Sequence, residues 1–216
     1  MDTVNTFGVS AQGTNTSLPR QRIVVGGDFY FDTLDSQTTQ TDLKTGSETT
    51  DDKQGNFIDG SQFWDANFFI QDEIELHKRV ELTLGGRFTR YHTEADLNVR
   101  DPQKVFGEFS KSDGALTGSA GVVVGLTDGL NLVGNFATSF RAPTLNDTTA
   151  VTVTNQGVDA PSPDLKSETG WTAEGGFKVR YPQFSGSVTL FHSRINNLVT
   201  RVPVKEAYKD QPLPKL

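Results

Sequence analysis

The residues able to carry chemistry are few and scattered. His77, His92 and His192 are the only histidines in 216 residues, and no two are spaced as metal ligands. Cysteine is absent, which removes thiolate zinc sites, disulfides and thiol nucleophiles together. Asp147, Asp159 and Asp164 could offer oxygens to Ca²⁺, but no loop of regularly spaced ligands surrounds them, so a solvated acidic loop is the plainer reading. There is no phosphate-cradling glycine loop, no nucleophile elbow and no Ser/His/Asp constellation. Neither catalysis nor a metal or cofactor is expected. Arg141 and Glu168 remain: a cation and a carboxylate of fitting chemistry, provided the fold brings them together.

Whether it does depends on the elements between them, and those alternate with a period of two. Ile23, Val25, Phe29 and Phe31 fall on one parity, with Val24, Asp28, Tyr30 and Asp32 on the other. Phe68, Ile70, Ile74 and Leu76 oppose Asn67, Gln71, Glu73 and Glu75; Val80, Leu82, Leu84 and Phe88 oppose Glu81, Thr83, Arg87 and Thr89. Leu116, Ala120, Val122, Val124 and Leu126 form a fourth apolar row. Leu130, Leu132, Phe136 and Phe140 then oppose Asn131, Asn135, Ser139 and Arg141, and Trp171, Phe177, Val179 and Tyr181 oppose Thr172, Glu174, Lys178 and Arg180. Six such segments are strands with one apolar and one polar face. Less regular strands are expected around Val4–Gln12 and Phe184–Val202.

The connections alternate too. Short ones fall at His77-Lys78-Arg79, Thr127-Asp128-Gly129 and Pro182-Gln183, and long polar ones at roughly 35–62, 98–113 and 142–166. Strands of about 12 to 18 residues exceed the usual 5 or 6, and about 9–11 suffice to cross a membrane. Long strands with turns short on one side and long on the other describe an antiparallel up-and-down transmembrane β-barrel. A soluble sandwich or jelly roll, such as a carbohydrate-binding module, would alternate apolar and polar residues as well, but it has no reason to alternate its loop lengths. Trp64 with Phe63, Trp171 with Tyr181, and Phe140 lie at strand ends, as interfacial aromatic girdles require.

Composition agrees. Hydrophobic residues make up 34%, with 15 Phe, 21 Gly and a single Met, a β-rich balance that leaves no run of about 18 apolar residues for a membrane helix. The net charge of −7, with no basic stripe, argues against nucleic acid as a partner. Met1 precedes Asp2-Thr3-Val4-Asn5 rather than a basic and then apolar leader, so an exported protein is expected to begin upstream.

Two segments carry a more specific signal. Asn135-Phe-Ala-Thr-Ser-Phe-Arg-Ala-Pro-Thr-Leu145 and Ala160-Pro-Ser-Pro-Asp-Leu-Lys-Ser-Glu-Thr-Gly-Trp171 resemble the paired FRAPTL and NPDLKPE signatures of TonB-dependent outer-membrane receptors. Phe69-Ile-Gln-Asp-Glu-Ile-Glu-Leu76 with Leu82-Thr-Leu-Gly-Gly-Arg-Phe88, and Phe191-His-Ser-Arg-Ile-Asn-Asn-Leu198, are similar to two further family segments in the family's order, so the resemblance runs from about Ile23 to Val202. Ser162 stands where Asn is typical and Ser167 where Pro is typical.

The resemblance implies an active transporter in the bacterial outer membrane, surrounded by lipid, that takes up a scarce small-molecule nutrient of the siderophore or cobalamin class and is energised by TonB. In the family TonB acts through a plug domain and a contact box, and neither has a counterpart here. The chain, 1–216, is therefore expected to be part of a barrel domain, about eight strands of the family's roughly 22, without plug or closing strand. A small complete barrel of eight strands is the structural alternative, and a passive porin-like or adhesin-like barrel the functional one. The resemblance marks Phe140, Arg141, Ala142, Pro143, Pro163, Asp164, Leu165 and Glu168 as motif residues, and Asn146 and Asp147 as candidate ligand contacts in the loop between them. Haem receptors of the family commonly carry a histidine there; residues 144–160 contain none, which argues against haem. By parity Arg141 and Glu168 are expected to meet on the polar face at the outer end of neighbouring strands, either bracing a ligand-binding loop or forming an ion pair of small weight.

Overall fold

The computed structural model describes residues 2–51, 57–97, 107–149, 152–154, 157–159, 162 and 164–200. Eight strands form one antiparallel sheet: β1 (Asp2–Asn15), β2 (Gln21–Ser36), β5 (Ser61–His77), β6 (Val80–Asp96), β7 (Glu108–Thr127), β8 (Leu130–Arg141), β11 (Glu168–Tyr181) and β12 (Phe184–Asn196). Each pairs with its neighbour in the chain, giving the order β1-β2-β5-β6-β7-β8-β11-β12. The sheet is open, because β1 and β12 stand at opposite ends of that order. The closed eight-stranded barrel is thereby excluded for this chain.

The long connections carry small elements of their own: the hairpin β3 (Thr38–Thr41)–β4 (Glu48–Asp51), the helical turn α1 (Leu145–Thr149), and the hairpin β9 (Thr152–Thr154)–β10 (Gly157–Asp159). Two expected boundaries move. The last strand, expected around Phe184–Val202, ends at Asn196, and the second long connection ends before Glu108. Residues 108–113, read as loop, begin β7, which pairs with β6 out to Asp96↔Glu108. Ser110, Lys111, Ser112 and Asp113 are polar on both parities, and the period-two signal fades wherever a strand has no apolar side to present.

Burial is inverted relative to a soluble protein. Phe68, Phe88, Leu116, Leu190 and Phe136 stand 46–79% exposed on the strand faces. Such a continuous apolar surface fits lipid rather than water. Trp64 lies on this face against Phe29 (6.3 Å) and His92 (5.7 Å), and Trp171 against Phe136 (6.1 Å) and His192 (5.3 Å). At the turn end Tyr181 meets Phe184 at 5.6 Å. From Trp171 to Tyr181 is ten residues of β11, about 33 Å at 3.3 Å per residue. Tilted by the usual 35–45°, that span gives an apolar band about 25 Å tall. Among the described residues no helix is long and apolar enough to cross a membrane.

A small conventional core forms beyond the aromatic level on the long-loop side, where water returns. Ile58, Ala95, Leu97 and Phe109 are buried there, and Leu145 of α1 packs against them. The helical turn α1, which begins where the first motif ends, is thus anchored to this core through Leu145.

Candidate functional site

Arg141 and Glu168 are direct cross-strand partners, the last pair of the β8–β11 ladder. Arg141 Nε donates to Glu168 Oε2 and Arg141 Nη2 to Oε1, both at 2.9 Å, a two-pronged contact that only a guanidinium can make. The third nitrogen, Nη1, donates to Asp147 Oδ2 at 3.0 Å. Asp147 in turn closes a capping box on α1: its backbone N–H donates to Thr144 Oγ1 (3.2 Å), and its carboxylate accepts from the Thr144 N–H (3.0 Å). The Val199 N–H donates to Glu168 Oε1 at 2.8 Å. A single guanidinium therefore ties together β8, β11, α1 and the exit of β12.

Electrostatics follow from this geometry, which lies beyond the Trp171 level and outside the membrane-spanning stretch. The Arg141 hydrogen bonds, then the Val199 N–H, hold the Glu168 carboxyl down to about 2 from an ordinary 4.5. Glu168 in return pushes the Arg141 guanidinium further up. Burial raises the Asp147 carboxyl, but the Thr144 N–H, Arg141 and the Thr144 hydroxyl more than offset it, leaving the group below its usual range. All three groups are ionised throughout the physiological range. The arrangement is a fixed clamp with no proton to give or take.

The second motif is held by residues that carried no sequence signal. Ser167 is 7% exposed, and its hydroxyl donates to Asp113 Oδ2 at 2.6 Å. The Tyr91 hydroxyl, on a residue only 1% exposed, lies 3.1 Å from Ser167 Oγ and donates to it. Lys111 Nζ donates to the Leu165 carbonyl, and Asn197 Nδ2 to the Ser167 carbonyl at 3.2 Å. Ser167, a departure from the family pattern, is thus a junction between β7, β6 and the loop. Asp113 and Lys111 lie in a stretch that is polar on both parities and reads as a connection; Tyr91 simply falls in the alternation.

Phe140 departs from expectation. Alternation assigns it to the apolar face as part of a girdle, yet its ring lies 6.1 Å from that of Tyr91, on the polar face. Phe63, which parity already places on the polar face opposite Trp64, lies 6.2 Å from Tyr91 and so belongs to no lipid-facing girdle either. For Phe140 the reason lies in the β7–β8 ladder, whose last backbone pair at this end is Ser119↔Ala137. Beyond it the Thr138 hydroxyl accepts from the Gly118 N–H (2.8 Å) and contacts its carbonyl (3.3 Å), standing in for the missing backbone pair. The end of β8 separates from β7, and a cavity of about 490 Å³ opens among Phe63, Arg87, Tyr91, Thr138, Phe140 and Arg141.

The remaining motif residues divide. Pro143 is buried, Ala142 and Leu165 are half-buried, and Asp164 and Asn146 are exposed. Pro163 lies outside the described residues. Asp147, a candidate ligand contact, is committed to Arg141 and Thr144, whereas Asn146 on the same turn faces solvent. Among the described residues no three His, Cys, Asp or Glu side chains converge as metal ligands. Among the described residues a further cross-strand polar network joins Arg87, Asp28 and Asn67, with Arg87 Nη2 3.2 Å from Asp28 Oδ1.

An open antiparallel sheet, lipid-facing on one side and clamped at its long-loop rim, narrows the relatives to outer-membrane barrels. The family model for TonB-dependent receptor-like β-barrels matches residues 2–211. This chain belongs to that family. TonB-dependent receptors are transporters of the outer membrane of Gram-negative bacteria, not enzymes; they bind a small-molecule ligand and work with TonB. The hemin receptor of Yersinia pestis is 33% identical over 126 residues, 52% of this chain and 17% of that protein. The Yersinia enterocolitica hemin receptor is 34% identical over 124 residues, 52% and 16% respectively. The chain thus spans about a sixth of the curated relatives it matches. Among solved structures, the Serratia marcescens hemophore receptor HasR superposes with a TM-score of 0.70 at 18% identity, over 91% of this chain and 34% of that one. The copper transporter OprC gives 0.72 at 15%, over 87% and 29%. At these identities the likeness to solved structures speaks for the TonB-dependent receptor fold alone.

Proposed function

We propose that this chain is a wall segment of an active importer, with the clamp of Arg141 holding a ligand-contacting turn at the outer mouth. The observation that carries the proposal is the three-way bonding of Arg141 to Glu168 and Asp147, which fixes α1 so that Asn146 is left facing outward. A bare ion pair would not need the capping box that couples it to the helical turn. In this reading a plug domain, acted on by TonB, accompanies the wall in the working protein, and the ligand is a scarce nutrient. Siderophore and cobalamin classes fit the family; the hemin-receptor relatives put haem among the candidates, although residues 144–160 carry no histidine to ligate it.

The test is growth of the source bacterium on a ferric siderophore, haem or cobalamin as the limiting nutrient, with the gene intact or deleted. The same comparison in cells lacking TonB completes it. Loss of growth on one nutrient in both backgrounds supports active import. Growth that depends on the gene but not on TonB would indicate a passive barrel.

A further inference from the structure

On the polar face Arg22 holds Glu73 (3.0 Å), Arg87 holds Asp28 (3.2 Å) and Arg141 holds Glu168 (2.9 Å), while Arg180 near the turn end makes no ion pair with a described residue. The opposite face carries two arginines of a different kind. Arg90 continues the apolar row of β6, following Leu84 and Phe88 and preceding His92; Arg194 follows Val188, Leu190 and His192 on β12. Both are exposed, and neither makes an ion pair or side-chain hydrogen bond with a described residue.

Their height in the sheet is the second observation. Arg194 stands directly opposite Trp171, and Arg90 lies two residues from His92, whose ring packs on Trp64. Arg194 is therefore level with Trp171, whereas Arg90 lies about 7 Å, at 3.3 Å per residue, on the turn side of the Trp64–His92 contact, next to the hydrocarbon-facing Phe88. Tryptophan at this level marks the boundary between acyl chains and head groups. A cation there faces the membrane, with its stem along lipid and its head free to rise.

The immediate surroundings of Arg90 leave room for a partner from outside the protein. Its cross-strand neighbours are Ala66 and Gly114, too small to cover a guanidinium. The nearest carboxylate along the strand face, Glu94, is engaged by His92 Nε2 at 2.7 Å. The other His92 nitrogen lies 2.7 Å from Ser112 Oγ. A guanidinium whose stem runs along lipid and whose head reaches up toward the head groups, with no carboxylate of a described residue to satisfy it, matches the planar two-oxygen face of a phosphate.

We infer that Arg90 and Arg194 bind the phosphate groups of outer-leaflet lipid, fixing an annular lipid against the wall beside the Trp64–His92 and Trp171–His192 pairs. The inference needs only that this face is in the membrane and holds whatever nutrient is carried. Arg90 is the decisive residue, since both strands flanking it are in the chain.

The experiment is native mass spectrometry of the intact protein released from detergent. The probes are bis-phosphorylated lipid A, the same lipid A stripped of phosphate, and inorganic phosphate. The wild-type protein is expected to retain phosphorylated lipid A selectively. Arg90→Gln and Arg194→Gln should each lower its retention about fivefold, while Arg90→Lys keeps part of it and Lys178→Gln, on the opposite face, changes nothing. Heat-modifiable gel mobility establishes that each variant is folded. Equal retention of the stripped lipid, or undiminished retention by folded Arg90→Gln, would overturn the assignment. Binding of inorganic phosphate alone with lipid ignored would overturn it as well, by identifying a soluble anion as the ligand.

Discussion

The Ser167 hydroxyl donates to the Asp113 carboxylate at 2.6 Å, joining the segment just before β11 to β7 across 54 residues of chain. With the Tyr91 hydroxyl at 3.1 Å, a short polar chain locks the second family motif onto the part of the β6–β7 hairpin that rises beyond the end of the β7–β8 ladder. Replacing Ser167 by Ala strands a buried tyrosine hydroxyl and one carboxylate oxygen. The expected cost is about 1–3 kcal/mol, read as a lowered urea midpoint and as faster proteolysis between residues 142 and 167. Tyr91→Phe, which removes a donor and leaves a serine that still bonds Asp113, should cost less than Ser167→Ala. Identical midpoints for wild type and Ser167→Ala would show that the junction has no energetic weight.

Arg141→Lys keeps the charge but cannot span three oxygens on two carboxylates. Amide exchange in α1 and at Val199 should accelerate, while exchange in the middle of β8 stays at its wild-type rate. Accelerated exchange spread evenly along β8 would instead mean that the clamp supports the whole sheet rather than its rim.

The pH response of the rim follows from Glu168. Its folded carboxyl sits at about 2 against an ordinary 4.5, so the clamp's contribution is complete above about 4.5 and drains away as pH falls toward 2. Protection of the Val199 amide should therefore be flat from neutral pH to about 5 and decline below it. Glu168→Gln should lack that decline. A wild-type midpoint near neutrality would contradict the assigned carboxylate.

Thr138→Val retains shape and β-propensity but removes the hydroxyl that bonds Gly118 in place of the backbone ladder. A loss of about 1 kcal/mol is expected, with increased exchange at the Gly118 amide. Thr138→Ser should restore most of both.

Gly176 is a position where a side chain has nowhere to go. A Cβ there would lie 2.1 Å from the Val188 carbonyl oxygen and 2.8 Å from the Thr189 Cα, both backbone atoms of the paired strand β12. Gly176→Ala should force β11 and β12 apart and sharply lower the yield of heat-modifiable folded protein. Gly186→Ala, where nothing stands within 4 Å, should be silent by the same assay.

Alternation along single strands was legible without coordinates, because lipid on one face and water on the other impose a period of two on residues such as Phe68 to Leu76 and Leu130 to Arg141. Loop lengths carried the up-and-down order, and parity brought Arg141 and Glu168 to one face. Residue order along the chain is therefore enough for the local features: strands, faces, turns and the pairing of neighbours. Where a ladder ends is a matter of three-dimensional packing. The parting of β7 from β8 at Thr138, the inward placement of Phe140 on Tyr91, the start of β7 at Glu108, and the Asp113–Ser167 bond depend on strand twist and on contacts between residues distant in sequence. Beyond the membrane both faces meet water, the two-residue period loses its cause, and polar residues such as Lys111 and Asp113 take their places from the partners they find.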